Sequence, residues 1–185
     1  MTAPERDSLT NLRRKEFLLK QFLEIVSQPE IFLSLIWIDI DGLIFLNDKY
    51  SHTEGDIFLQ QVAQIIVQVV PQTSEVFRIA GDEFAFIVTK LDLPEVLAIA
   101  EEIRKKVETQ FSDIAVLRRL GKTNFAFPTF IQGSPTVSCA IAPALTCQFA
   151  SYPQHGTEID SLLQAADRAM YEKAKLFGEN KVVLA

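Results

Sequence analysis

Val76-Phe77-Arg78-Ile79-Ala80-Gly81-Asp82-Glu83-Phe84-Ala85-Phe86-Ile87-Val88 is the stretch on which the reading of the fold turns. Two short runs rich in β-formers, Val76–Ala80 and Glu83–Val88, flank Gly81-Asp82. A glycine followed by a polar residue between two such runs signals a tight hairpin. Asp82 and Glu83 then stand at its tip. Upstream, Ile31 to Asp39 (IFLSLIWID) is a nearly continuous apolar run that ends abruptly in acid, as expected of a central strand buried on both faces. If the hairpin pairs beside that strand, Asp39, Asp82 and Glu83 converge at one edge of the sheet.

The flanking segments read as helices. Asp7 to Gln28 carries Leu18, Phe22 and Ile25 on one stripe, and Gly55 to Val70 repeats Leu59, Val62, Ile66 and Val69 at helical spacing. In this reading Asp56 falls in a first turn, where the helix dipole favours an anion. Pro94 to Phe111 places Val96, Ala100, Ile103, Val107 and Phe111 on one face, with Pro94 suited to the opening turn. Ser161 to Phe177 is the last long helix. Between Ser112 and Pro153 an apolar pattern broken by Gly and Pro reads as strands. The order helix, strand, helix, hairpin, helix, strands, helix predicts an α+β sandwich, with helices packed on a mixed or antiparallel sheet. No repeat or linker divides residues 1–185, so a single domain is expected.

Composition narrows the function. The chain has 185 residues, 48% hydrophobic and 23% charged, with a net charge of −6. That balance suits a soluble globular domain and disfavours a nucleic-acid binder, which needs a basic face. The two cysteines, Cys139 and Cys147, are not spaced as CxxC, and only two histidines accompany them. A Cys/His zinc site is therefore not expected. The first residues, MTAPERDSL, contain no signal-peptide core, and the run at Ile31–Ile38 is far short of a membrane span. A cytoplasmic protein with no membrane partner is expected.

Two acidic points could carry chemistry. Alternation along an extended chain puts Asp39 and Asp41 on one side, with the Ile40 carbonyl between them. Carboxylates beside a backbone carbonyl make a hard-oxygen site suited to Mg²⁺, which keeps waters and takes phosphate oxygens as its remaining ligands. Taken singly, however, Asp39 and Asp41 need only end a strand, and Asp82 need only shape a turn.

The segment Arg78-Ile79-Ala80-Gly81-Asp82-Glu83-Phe84 resembles the signature hairpin of GGDEF domains, the diguanylate cyclases. Other stretches resemble the family's motifs in the same order: Asp7-Ser8-Leu9-Thr10; Asp39-Ile40-Asp41; Asn47-Asp48-Lys49-Tyr50-Ser51-His52-Thr53-Glu54-Gly55-Asp56; Tyr152-Pro153-Gln154-His155-Gly156; and Ala166-Asp167-Arg168-Ala169-Met170-Tyr171. The resemblance implies a palm-like sandwich. It also implies condensation of two GTP molecules to cyclic di-GMP by a head-to-tail homodimer, with Mg²⁺, or Mn²⁺ in its place. By position, Asp39, the Ile40 carbonyl and Asp82 would hold metal with Glu83 assisting, and Asp82 would also accept a proton. Asn47 and Asp56 match the guanine-reading pair. An amide plus a carboxylate suits guanine, whose N1–H and N2 amino group are donors. Asp56 has a second reading as a helix-terminus anion. His52 either lies near the base pocket or makes a structural hydrogen bond in the strand-to-helix turn.

The chain departs from the family's pattern at the phosphate positions. Ile44 stands where the family has a lysine, and Glu179 where it has an arginine. Lys175 is the phosphate-binding candidate of the last helix, in a register that Ala174 contests. Lys49, Lys173 or Lys181 could compensate. Ala80 replaces the first glycine of the signature. Pro71 and Ser74 occupy the places of the product-inhibition motif, so no inhibitory site is expected. The stretch 116–146 reads as a longer insertion. With no sensor region ahead of Asp7, dimerisation is expected to come from the domain or from a separate sensor or effector protein. The sequence thus supports a cyclase first. The alternatives are a degenerate module that binds GTP or a protein partner without turnover, and a purely structural interaction domain.

Overall fold

The computed structural model of the protein describes residues 5–28, 31, 33–40, 43–112, 145–152, 159–169 and 182–184. In chain order the elements are β1 (Arg13–Arg14), α1 (Lys15–Val26), β2 (Leu33–Ile40), α2 (Leu43–Lys49), α3 (His52–Val69), β3 (Val76–Ala80), β4 (Glu83–Thr89), α4 (Leu93–Ser112), β5 (Leu145–Tyr152), α5 (Ile159–Ala169) and β6 (Val182–Leu184). The strands form one sheet in the order β1-β3-β4-β2-β5-β6. Its four central strands are antiparallel neighbours, and the two edge strands add on in parallel. The sheet is therefore mixed, and the expected α+β sandwich is what forms.

Alternation along β2 builds two cores. Ile36, Ile38 and Ile40, with Phe84, Phe86 and Val88 of β4, pack against Phe58, Val62 and Ile66 of α3 and Val96, Ile103 and Val107 of α4. Leu33, Leu35 and Trp37, with Ala85 and Ile87, pack against Leu18 and Phe22 of α1 and Leu162 and Ala166 of α5. A strand with a helix layer on each face has no solvent side, so β2 reads as an unbroken apolar run. Phe58 and Phe111 meet edge to face, 4.4 Å between ring centres, which fixes α3 on α4.

Of the expected last helix Ser161–Phe177, α5 covers Ile159–Ala169 and residues 170–177 lie outside the described residues. Besides shifts of one or two residues, three boundaries differ from the sequence reading. The first helix starts at Lys15 rather than Asp7. The Asp7 carboxylate accepts from the Thr10 N–H at 2.8 Å and from the Thr10 hydroxyl at 2.7 Å. Asn11 sits at φ 59°. Such side-chain competition and a left-handed residue both oppose a helix. Residues 5–14 form a closed loop instead, and Arg13–Arg14 pair with Phe77 and Arg78. The second difference is that α3 starts at His52, capped by Ser51, whose hydroxyl accepts from the Glu54 N–H at 3.2 Å. Asp56 therefore lies beyond the first turn, where the dipole no longer favours an anion. Third, of the stretch 116–146, residues 116–144 lie outside the described residues, and Leu145 and Thr146 already belong to β5. The helix α2 and the edge strands β1 and β6 are additions to the sequence reading.

Candidate functional site

The β2–β4 register brings the two acidic points together. Asp39 is the direct cross-strand partner of Glu83, and the Ile40 N–H donates to the Asp82 carbonyl at 3.2 Å. The hairpin turns in two residues, since Ala80 pairs with Glu83 across Gly81-Asp82. A register shift between Arg78 and Ala80 bends β3 just before the tip, as bulges do where a strand end must be re-aimed. Asp39, Asp82 and Glu83 are all half-buried. Like charges directly opposite on neighbouring strands repel, and a cation placed there would relieve that repulsion.

The donor set is one of hard oxygens: the carboxylates of Asp39, Asp82 and Glu83 and the Ile40 carbonyl. This fits Mg²⁺, which binds one or two carboxylates and leaves other positions to water and phosphate. Among the described residues no three His, Cys, Asp or Glu side chains are grouped closely enough to hold a metal ion by themselves, so an ion here would need water and phosphate oxygens for the rest of its ligands. Gly81 adds to the fit. Its backbone lies outside the left-handed region, and a Cβ built there would meet nothing within 4 Å. Among the described residues nothing crowds the Gly81 Cα, so a phosphate could approach the backbone there.

Asn47, at the end of α2, packs against α3. A Cβ on Gly55 would overlap the Asn47 side-chain oxygen, so the glycine is what lets Asn47 lie in its present position, through close approach rather than through its dihedrals. Asn47 is therefore held beside the residue preceding Asp56. Asn47 Oδ1 is buried and accepts no hydrogen bond among the described residues. A buried acceptor left unpaired is costly, and a donor from a base would satisfy it. His52 and Asp56 are exposed, four residues apart on one face of α3. Ser51 rather than His52 caps that helix. Ile44 on α2 is 76% exposed. Lys175 and Glu179 lie outside the described residues, as do Asp41, Lys173 and Lys181 and the side chain of Lys49. A surface groove of about 810 Å³ between α3 and α4, lined by Ile65, Gln68, Ala98, Glu101, Lys105 and Gln110 among others, contains none of these candidates.

Sequence reading gave Asp7 and Arg78 only a motif match; the structure gives them partners. Arg78 Nη1 donates to Asp7 Oδ1 at 2.8 Å. Its Nε and Nη2 donate to the Gly81 carbonyl at 3.2 and 2.8 Å. The turn-forming pair Asp7 and Thr10 was the available signal. Burial pushes the Asp7 carboxyl up, but hydrogen bonds from Arg78 and Thr10 outweigh it and leave the group below its ordinary value of 3.8. A carboxyl with a depressed folded-state pKa contributes stability above the unfolded-state value and loses it as pH falls through the folded one. Asp7→Asn is therefore expected to melt below the wild type at neutral pH, with the gap closing as pH drops below about 3.8. Thermal melts of both proteins from pH 7 down to pH 3 check this; a gap that does not change with pH would refute it.

A three-layered helix–sheet–helix sandwich with an acidic hairpin tip abutting the end of its central strand defines the class of domain. The chain belongs to the GGDEF family: the family model "Diguanylate cyclase, GGDEF domain" matches residues 5–126. Diguanylate cyclase A of Treponema denticola is 29% identical over 185 residues, spanning 97% of this chain and 44% of that protein. An uncharacterized membrane protein of Staphylococcus haemolyticus is 35% identical over 100 residues, 54% of this chain and 28% of that protein. The chain thus spans less than half the length of either relative. Among solved structures, the GGDEF domain of YfiN (TpbB) from Pseudomonas aeruginosa superposes with a TM-score of 0.74 at 27% identity, covering 97% of this chain and 94% of that one. Among the described residues no helix is long and apolar enough to cross a membrane.

Proposed function

We propose that the chain is a single diguanylate cyclase domain that condenses two GTP molecules to cyclic di-GMP in a head-to-tail homodimer. The observation that carries this reading is the pairing of Asp39 with Glu83, with the Asp82 carbonyl hydrogen-bonded to the Ile40 N–H. Asp39, the Ile40 carbonyl and Asp82, assisted by Glu83, would hold Mg²⁺ or Mn²⁺. When bound, that ion supplies positive charge to the phosphates. Asn47 and Asp56 read the guanine from the α2–α3 junction, with His52 beside them, and Lys175 contributes to phosphate binding. A 3′-hydroxyl attacks the α-phosphate of the GTP on the other copy, Asp82 takes the hydroxyl proton, and pyrophosphate leaves. The domain works in the cytoplasm, without nucleic acid or a membrane surface as partner, and a separate sensor or effector protein is a candidate partner.

The exposed Ile44 favours a second reading, a module that binds GTP with little or no turnover. Incubating the protein with GTP and Mg²⁺, with chromatography for cyclic di-GMP and calorimetry for GTP binding, separates the two. Product supports the cyclase, binding without product supports the module, and neither result would remove both.

Ile44→Lys tests the phosphate end. At 76% exposure the new ammonium stays in water, so no burial penalty applies, and lysine is at least as good a helix former as isoleucine. One exposed cation aimed at phosphate is expected to tighten GTP about tenfold at low salt, with the gain shrinking as salt rises. Titrating GTP at two ionic strengths checks it; an unchanged, salt-independent affinity would mean that position 44 does not face phosphate.

A further inference from the structure

The Glu5–Arg14 loop carries none of the groups assigned to nucleotide or metal, yet it is tied to both elements that do. It closes on itself through the Asp7 N–H to the Leu12 carbonyl at 2.8 Å, the Asn11 N–H to the Asp7 carbonyl at 2.9 Å and the Arg14 N–H to the Glu5 carbonyl at 3.2 Å. Arg6 Nη1 donates to the Asn11 carbonyl at 2.8 Å. On one side the loop holds the hairpin through Asp7 and Arg78. On the other, Gln60 Nε2 of α3 donates to the Leu9 carbonyl at 3.0 Å. Gln60 lies four residues after Asp56, one turn along the same helix face.

Arg78 is the joint of this arrangement. Its side chain is only 14% exposed. One edge of its guanidinium meets Asp7 and the other two donors meet the Gly81 carbonyl. The peptide plane that it holds is the one joining Gly81 to Asp82. A planar fork pinned at both ends fixes the orientation of what it grips, which a lysine ammonium cannot do. Asp7 is fixed in turn by the two donors of Thr10.

We propose that Asp7 and Arg78 are positioning residues for Asp82, and that the Glu5–Arg14 loop is a clasp holding the hairpin tip in place relative to α3. The positioning role rests on the reading of Asp82 given above; the clasp itself rests only on these contacts. Displacing the loop then loosens Asp82 without touching any residue that meets nucleotide.

The test uses Asp7→Asn and Arg78→Lys, with Thr10→Ser as the conservative change and Val107→Ala as a core-destabilising control on α4. The first readout needs no ligand: backbone ¹⁵N relaxation at Gly81 and Asp82. A rigid tip has an order parameter near ~0.85, and a released one falls below ~0.6. Release is expected in Asp7→Asn and Arg78→Lys but not in Thr10→Ser or Val107→Ala, with Ile36 in β2 unchanged throughout. The second readout is Mn²⁺ binding in the presence of GTP, followed by electron paramagnetic resonance. The two releasing variants should bind Mn²⁺ about tenfold more weakly while keeping the wild-type preference for GTP over ATP. A tip as rigid as wild type in both variants overturns the clasp, as does loosening shared equally by the tip and Ile36. A loosened tip with undiminished Mn²⁺ binding overturns the positioning role. If the wild type itself binds no Mn²⁺ with GTP, it is the assignment of Asp82 that fails, and the relaxation data still decide the clasp.

Discussion

Asp82→Asn is expected to weaken Mg²⁺–GTP binding by about 10²-fold or more and to leave the fold intact. Losing a group that merely orients a metal ligand already costs roughly 10–100-fold, and Asp82 is read here as a ligand itself. An amide oxygen is neutral, and it cannot accept the proton that a carboxylate can. The fold should survive because the change removes one charge from a set of crowded acids. Asp39 faces Glu83 directly across the strands, and the Asp82 carbonyl abuts Ile40. Easing that repulsion should hold or raise the melting temperature. Asp39→Asn should behave in the same way. Calorimetry of Mg²⁺–GTP binding alongside thermal melts makes the comparison. Wild-type affinity in both variants would remove the metal site from the β2 end altogether.

The second large effect is on base choice. Asn47→Ala and Asp56→Ala are each expected to cost about 1–3 kcal/mol in GTP binding, roughly 5–150-fold, with any ATP binding nearly unchanged. The structure separates this from simple destabilisation. Asn47 Oδ1 is buried and accepts no hydrogen bond among the described residues, so truncating it breaks no hydrogen bond there at that oxygen. Asp56 is exposed and lies past the capped first turn of α3, so its removal forfeits no dipole interaction. Both variants should therefore melt near wild type. Competition binding of GTP against ATP is the measurement, and wild-type discrimination in both variants would refute the guanine assignment.

Much of this architecture was legible because burial writes itself into local pattern. The nearly continuous apolar run ending at Asp39 reads as a strand covered on both faces, and α1/α5 and α3/α4 supply those covers. The hairpin was legible because Gly81-Asp82 is chemically a turn, and β3 and β4 begin and end within a residue of the expected limits. By contrast, α2 was missed because seven residues give barely two turns of periodicity, and Leu43 and Leu46 bury themselves only once α3 lies beside them. The edge strands β1 and β6, two and three residues long, are too short for any alternation to show. Asp7 to Arg14 reads as helix only if the apolar stripe of α1 continues backwards across Thr10 and Asn11, whose side-chain and backbone preferences end it.

The sequence by itself determined the types of the long elements, the sandwich class and the membership of the acidic and polar groups in recognisable stretches, since those rest on propensity, period and turn chemistry acting over a few residues. Which groups meet was decided by tertiary structure. The β2–β4 register sets Asp39 against Glu83, the close approach of α2 to Gly55 orients Asn47, and the packing of α2 leaves Ile44 in solvent. The link from Asp7 through Arg78 to Gly81 joins residues 71 positions apart. The physical reason is that a hydrogen bond or ion pair depends on the orientation of both partners. A local pattern specifies each partner's own backbone, but not the strand register and helix docking that bring distant partners within 3 Å.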